Sequence, residues 1–321
     1  MQKKYLIFRI LGNDLPGLHG DNQTLQNLEF TLLNETNFPE TEKVYLLNRI
    51  HDVNKKNNII LLLDKYKYKY IDIPFSIEEF KNIKYDQKIN RRINKRLNSK
   101  KKKNIIQSYL EYLMNSEFKK RRYFIKKLYN HNIYLINNNG SRNFCLNYGK
   151  ENGYQWTFVL DSNSYFTNKL FKNIISNIQE HTEYISIPQI RLSDNNINNE
   201  QLLNDNLDFN SFTNREPQIA FKNISSIKFN KKIPYGTAPK AELLRVLKIP
   251  GPWEKWKDNE LFLNIKDRKI ENVKYQTLSN VIRLNSYNST NTISNNFNKR
   301  IIGLNNLINQ IRNDNNKLIK F

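Results

Sequence analysis

The sequence predicts an α/β protein: a mostly parallel sheet with helices on both faces, plus an inserted basic helical arm. Three observations carry this expectation. The segments YLIFRIL (5–11), KVYLLNRI (43–50) and QWTFVL (155–160) are unbroken apolar runs instead of alternations, as strands buried on both faces require. Stretches with helical apolar spacing separate them. Polar, turn-forming residues close each run, such as GNDLPG after the first. At 321 residues with 38% hydrophobic and 12% aromatic content, the chain can build one large core or two ordinary ones.

Taken in order, residues 5–11 form the first strand. Asp21 or Asn22 can cap a helix through QTLQNLEFTLLNE, whose Leu25, Leu28, Leu32 and Leu33 recur at helical spacing. KVYLLNRIHD (43–52) is a strand, NNIILLLDKY (57–66) a helix and YKYIDIPF (68–75) a strand. From Ser76 to Lys127 the pattern changes to basic, helix-compatible sequence, QKINRRINKRLNSKKKKN followed by IIQSYLEYLMNSEFKKRRYFIKKLY. Ile105, Tyr109, Tyr112 and Leu113 line one face of this arm, which is either a solvated insertion or a contact surface for an acidic partner. NIYLINNNG then reads as a strand, SRNFCLNYGKENG as a helix and QWTFVLDSNSYF as the next strand. Thr167 or Asn168 caps a helix through NKLFKNIISNIQE. EYISIPQIRL and EPQIAFKN follow as strands, with the loop SDNNINNEQLLNDN between them, and PKAELLRVL is a helix stopped by PGPW. Residues 1–260 therefore read as one domain, with 76–127 inserted, and 261–321 as an Asn-rich, partly helical extension ending in IIGLNNLINQIRN.

A formal net charge of +22 ordinarily points to a polyanion partner. Here the usage is skewed toward Lys, Asn, Ile and Tyr, as AT-rich coding produces, and much of that charge is expected on solvated surface. The single cysteine, Cys145, rules out an internal disulfide or a multi-cysteine metal site and reads as a core residue. His51, His131 and His181 show no metal-ligand spacing. The N-terminal apolar run is short and broken by Arg9, unlike a signal segment. No stretch reaches the ~18–20 apolar residues of a membrane span. A soluble, intracellular protein is expected.

Ligands of doubly wound sheets bind beyond the carboxyl ends of strands. Four such ends are polar here: Asn13 and Asp14, Asn48 to Asp52, Asn137 to Arg142, and Asp161 to Asn163. Asp161-Ser162-Asn163 spaces two oxygen ligands along an extended backbone, which suits Mg²⁺ or Mn²⁺ better than zinc. Such a site borrows its other ligands from substrate phosphates and water. Arg142, near a helix start, can meet the same phosphates with a charge-assisted fork. A P-loop and a GxGxxG fingerprint are both lacking, which leaves a metal-bridged diphosphate. Glu216 is a candidate general base for an acceptor hydroxyl. His19 lies in a turn where it can touch substrate. Trp253 and Trp256 form either a sugar-stacking platform or a packed cap.

The run TLQNLEFTLL, VYLLNRIHD, then NNNGSRNFCLNYGKENGYQWTFVLDSN resembles the nucleotide-sugar half of GT-A glycosyltransferases. There, an Ala-Arg-Asn type helix leads into a strand carrying a DxD motif; SRN (141–143) and DSN (161–163) stand at matching separation. More narrowly, RILGNDLPGLHGDNQTLQNLEF, LLNRI, NNNGSRN, EPQI and the YG-PK-ELL-PGPW run resemble a poorly characterised family of bacteria and large DNA viruses. The resemblance spans about residues 5–260 and is weakest over 76–130. It implies that Asp161 and Asn163 hold the metal and diphosphate, with Asp161 catalytic, and that Arg142 approaches the diphosphate or donor sugar. Asn48 and Asp52 would lie near base or ribose, with Asn13, Asp14 and Asn143 among the donor-binding residues. One departure matters: Asn163 stands where the motif has its second Asp, so a metal-weak or metal-independent enzyme is open. The implied activity is transfer of a sugar from a nucleotide-sugar donor, UDP-sugar favoured, to a glycan or protein hydroxyl. Two alternatives stand beside it: a nucleic-acid or polyanion binder using the basic arm, and an inactive carbohydrate-binding relative.

Overall fold

The computed structural model describes residues 4–20, 22–84, 124–192, 216–255, 273–285 and 293–318, and side chains of the last helix over 299–314. Most of the expected basic arm therefore lies outside the described residues, as do Trp256, Asp21 and the expected loop SDNNINNEQLLNDN.

A seven-stranded sheet organises the protein. Its strands are β1 (Tyr5–Leu11), β2 (Thr41–Asn48), β3 (Lys69–Ile73), β4 (Trp156–Asp161), β6 (Tyr184–Ile187), β8 (Gln218–Lys222) and β9 (Tyr275–Thr277), in the order β3-β2-β1-β4-β8-β6-β9. β1 pairs in parallel with both β2 and β4, and β2 pairs in parallel with β3. β8 runs antiparallel to its neighbours β4 and β6. A second sheet, β5-β10-β7, joins β5 (Ser164–Tyr165), β7 (Gln189–Arg191) and β10 (Val281–Arg283). The single strand expected over EYISIPQIRL is thus split at Pro188, which has no N–H to continue a ladder.

Helices cover both faces, as the unbroken apolar runs anticipated. α1 (Gln23–Asn34), α2 (Val53–Lys65) and α6 (Asn168–Ser176) pack on the face that carries Tyr5, Ile7, Tyr45, Leu47, Phe158 and Leu160. α5 (Asn138–Glu151) and α7 (Ala241–Val246) pack on the face that carries Leu6, Phe8, Val44, Leu46 and Val159. Thr167 caps α6, accepting the Leu170 N–H at 3.2 Å. α5 presses closely on the sheet at Gly149, where a Cβ would lie 2.0 Å from Thr157 Oγ1.

The expected strand over NIYLINNNG is instead α4 (Tyr129–Leu135), in a helical region that also includes the short α3 (Ile77–Asn82). Leu128, His131, Asn132 and Leu135 are all buried, a spacing that fits a helix face and not a pleat. The last helix, α8 (Ile293–Leu318), lays Leu304, Leu307, Ile308 and Ile311 against Leu15, Leu18, Phe80, Leu128 and Leu135. Its Gly303 meets the Leu15–Pro16 turn so closely that a Cβ would come within 2.9 Å of Leu15. Among the described residues, no helix is long and apolar enough to cross a membrane.

Beneath α1 lies a buried ion triad. Glu35 takes Arg9 Nη2 at 2.5 Å and Lys43 Nζ at 2.9 Å, with side-chain exposures of 5% or less throughout. Glu35 Oε1 also accepts the Phe166 N–H at 2.9 Å, and Arg9 Nε donates to the Ser164 carbonyl at 2.9 Å. The triad ties β1, β2 and the end of α1 to the chain just past β4.

Candidate active site

β4 ends at Asp161, which is in register with Ile10 on β1 at the carboxyl edge of the sheet. Because β8 runs antiparallel to β4, it starts at the same edge, bringing Gln218 beside Asp161, with Glu216 two residues earlier against Lys240. β10 pairs Arg283 with Ser164, three residues past Asp161. Arg142 comes from the first turns of α5, where the left-handed Asn137 (φ 37) caps the helix by accepting the Gly140 N–H at 3.1 Å. A side chain at Gly140 would meet that Asn137 amide, its Cβ lying 2.1 Å from Oδ1. Lys240 precedes α7 and completes the group.

Asp161 is the hub. Its Oδ1 accepts from Arg142 Nη2 at 2.9 Å. Its Oδ2 accepts from Arg283 Nη1 at 2.9 Å, Gln218 Nε2 at 3.1 Å and Lys240 Nζ at 3.2 Å. Lys240 Nζ also donates to Gln218 Oε1 at 2.7 Å, and Arg142 Nη1 to Asn139 Oδ1 at 2.7 Å. The Arg142 guanidinium lies over Phe229 at 5.4 Å. Glu216 Oε1 accepts the Lys240 backbone N–H at 2.9 Å, and the Glu216 carbonyl accepts Gln189 Nε2 at 2.5 Å. Arg142 and Lys240 are buried, whereas Asp161 and Arg283 keep 21% and 20% of their side chains exposed. Approach from solvent is therefore past Asp161 and Arg283.

The electrostatics follow from three cations around one carboxylate. Burial pushes the Asp161 pKa up, but Lys240, Arg283 and Arg142 outweigh it and hold the group well below the usual carboxylate range. Burial pulls Lys240 down to about 8; Asp161 and Glu216 oppose this, and Arg142 and Arg283 reinforce it.

Asp161 and Asn163 do not fit a divalent cation in this arrangement. Both Asp161 oxygens already accept from cationic donors, whose field repels a metal ion. Asn163 is buried with its amide Nδ2 donating to the Leu284 carbonyl at 2.7 Å, while Leu284 N–H donates back to the Asn163 carbonyl at 2.9 Å. That side chain anchors β10 beside β4. Among the described residues, no group of three or more His, Cys, Asp or Glu is placed to hold a metal.

The other expected residues sit elsewhere or face inward. Asn143 spends its amide on Phe229, donating to its carbonyl at 2.8 Å and accepting its N–H at 2.9 Å. Asn13, Asp14, Asn48 and Asp52 form a second cluster past β1 and β2. Asn13 Nδ2 donates to the Arg49 and Leu135 carbonyls at 2.8 and 3.1 Å, and its Oδ1 accepts the His51 N–H at 3.0 Å. Asn48 Nδ2 donates to the Ile136 carbonyl at 2.5 Å. Asp14 is ion-paired with Lys55 and accepts from Thr24 Oγ1 at 2.5 Å; His19 Nδ1 lies 3.2 Å from it. Asp52 caps α2, accepting the Lys55 N–H at 3.0 Å. Trp253 is 5% exposed and donates Nε1–H to the Ile249 carbonyl at 2.7 Å, so it is the packed cap and not a sugar platform.

Lys240, Arg283, Gln218 and Gln189 were not singled out by the sequence. Gln218 and Lys240 fall inside the quoted EPQI and YG-PK segments, which was the available signal. Arg283 carried none.

No protein-family model matches the sequence, and no curated protein matches it. Among solved structures, the chain is similar to a crystal structure of S. aureus TarS 1–349, with a TM-score of 0.35 and 12% identity, over 88% of this chain and 60% of that one. A second S. aureus TarS crystal structure matches with a TM-score of 0.34 and 11% identity, over 88% of this chain and 37% of that one. The chain thus spans less than two thirds of the length of either.

Proposed function

We propose that this chain is a glycosyltransferase moving a sugar from a nucleotide-sugar donor, a UDP-sugar by preference, to the hydroxyl of a glycan or protein. The observation that supports it most is the convergence of Arg142, Lys240 and Arg283 on Asp161, with Glu216 beside them, at the carboxyl edge of the sheet. In this reading Glu216 takes the proton of the acceptor hydroxyl as that oxygen attacks the anomeric carbon. The bond from that carbon to the diphosphate oxygen breaks, and its electron pair leaves on the nucleoside diphosphate. Preorganised cations in a partly desolvated site lower the barrier by meeting the charge where it develops. A retaining course needs no such base, because the leaving phosphate can assist in its place.

The test is a thermal-shift titration with UDP, GDP and CMP, followed by nucleotide release from the corresponding sugar donor. One of the three should stabilise the protein by about 2.7 kcal/mol at 100 times its dissociation constant, and that result names the donor class. Glu216→Gln should keep the shift and lose release by about 10²-fold or more if the enzyme inverts. No shift with any of the three sinks the proposal.

A further inference from the structure

We infer that the diphosphate of the donor is held by Arg142, Lys240 and Arg283 themselves, with no divalent metal between it and the protein. This rests on the glycosyltransferase reading and gives its site a mode of binding.

Charge balance is the first ground. Burying an uncompensated ion costs several kcal/mol. Around Asp161 the described residues place three cations on one carboxylate, and Glu216 accepts the Lys240 backbone N–H. Arg191 is in register with Arg283 on the neighbouring parallel strand. Three cations thus converge on one partly exposed carboxylate before any ligand arrives.

Unmet donor capacity is the second ground. Arg142 is 97% buried by its 3% exposure, yet its Nε is buried without a hydrogen-bond partner among the described residues. Lys240 spends Nζ on Asp161 and Gln218, and an ammonium has three protons to give. Phosphate oxygens accept from such groups, and Arg283, exposed beside Asp161, offers a second fork.

The third ground is the orientation of Asn163. A metal shared by Asp161 and Asn163 would need the Asn163 side chain as a ligand, but that side chain is buried, held there by Nδ2 donating to the Leu284 carbonyl. Asp161 then acts as a positioning residue: it aligns three cations whose own mutual repulsion would otherwise spread them.

Calorimetric titration of the full chain with UDP, and with inorganic pyrophosphate as the bare diphosphate, tests this in EDTA and again in Mn²⁺. Expected is binding of both in EDTA, with Arg283→Gln and Lys240→Met each weakening it about tenfold or more. Lys172→Gln, on the outer face of α6, should leave it unchanged. Arg283 is part exposed, so its variant remains informative if Lys240→Met fails to fold. Binding of UDP only when Mn²⁺ is present overturns the inference and leaves the glycosyltransferase reading standing. EDTA-resistant binding that survives both substitutions puts the anion elsewhere on this basic chain and also overturns it. Absence of UDP and pyrophosphate binding under both conditions removes the inference, and UDP as donor nucleotide with it.

Discussion

Arg283 Nη1 donates to Asp161 Oδ2 at 2.9 Å, across 122 residues of sequence. The contact exists because β10 lies antiparallel to β5, directly after the turn that follows β4. With Arg142 and Lys240 it makes Asp161 the counter-charge of the group. Asp161→Asn should therefore destabilise the fold by about 3 kcal/mol, because it leaves buried cations unpaired. Added pyrophosphate should raise the melting temperature of this variant more than that of wild type, since the anion replaces the lost charge. A melting temperature unchanged by the substitution would show that the cluster carries no such load.

Lys240 sets a window at alkaline pH. Its pKa is about 8 in the folded protein against 10.5 in the free side chain. Between these values the unfolded chain binds the extra proton, so this residue makes stability rise with pH from about 8 to about 10.5. Affinity for UDP moves oppositely: the terminal phosphate, with a second pKa near ~6, is fully ionised by then. Binding should weaken above about pH 8 as Lys240 loses its charge. Titrations from pH 7 to 10 should show both trends in wild type and neither in Lys240→Met.

The Arg9–Glu35–Lys43 triad contributes on the acid side, as Asp161 does. Burial alone would raise the Glu35 pKa, but Arg9 and Lys43 depress it, and Asp14 is likewise held low, by His19 and Lys55 against burial. Carboxylates depressed in the fold stabilise it fully above their unfolded pKa, about 4, and lose that contribution as pH falls through the folded value. Melting temperature should accordingly fall steeply below pH 4. Glu35→Gln should cost about 3–5 kcal/mol at pH 7 and flatten that acid limb, measured by urea unfolding. Equal stability of variant and wild type at pH 7 would contradict the account of the triad.

Close helix–sheet approach is testable at Gly149. A Cβ there lies 2.0 Å from Thr157 Oγ1 and 3.2 Å from Thr157 Cβ. Gly149→Ala should destabilise by about 1–3 kcal/mol through overpacking. Thr157→Ala in the same chain should recover part of that loss, giving a coupling of about 0.5 kcal/mol or more. Additive effects would mean that α5 and β4 are further apart than described.

What could be read from sequence follows what each element needs. β1 and β4 were legible because Leu6, Ile7 and Phe8, and likewise Phe158, Val159 and Leu160, are buried on both faces and leave no alternation. α4 was not, since its helical face includes His131 and Asn132, whose burial depends on partners far away; Asn132 Nδ2 donates to the Tyr235 carbonyl at 3.0 Å. The antiparallel sense of β8 was equally hidden, because the composition of QIAFK carries no direction. In the site, Asp161 and Arg142 were legible from a strand end and a helix start only 19 residues apart. Lys240 and Arg283 were concealed among 52 Lys and Arg residues, and only the sheet topology brings them to Asp161.

The most direct measurement is an experimental structure with UDP bound, grown in EDTA. The diphosphate is expected within about 3 Å of Lys240 Nζ and the Arg283 and Arg142 guanidinium nitrogens, at the carboxyl edge of β4. A diphosphate lodged away from Asp161 on another part of the chain would contradict the assignment of this cluster as the donor site.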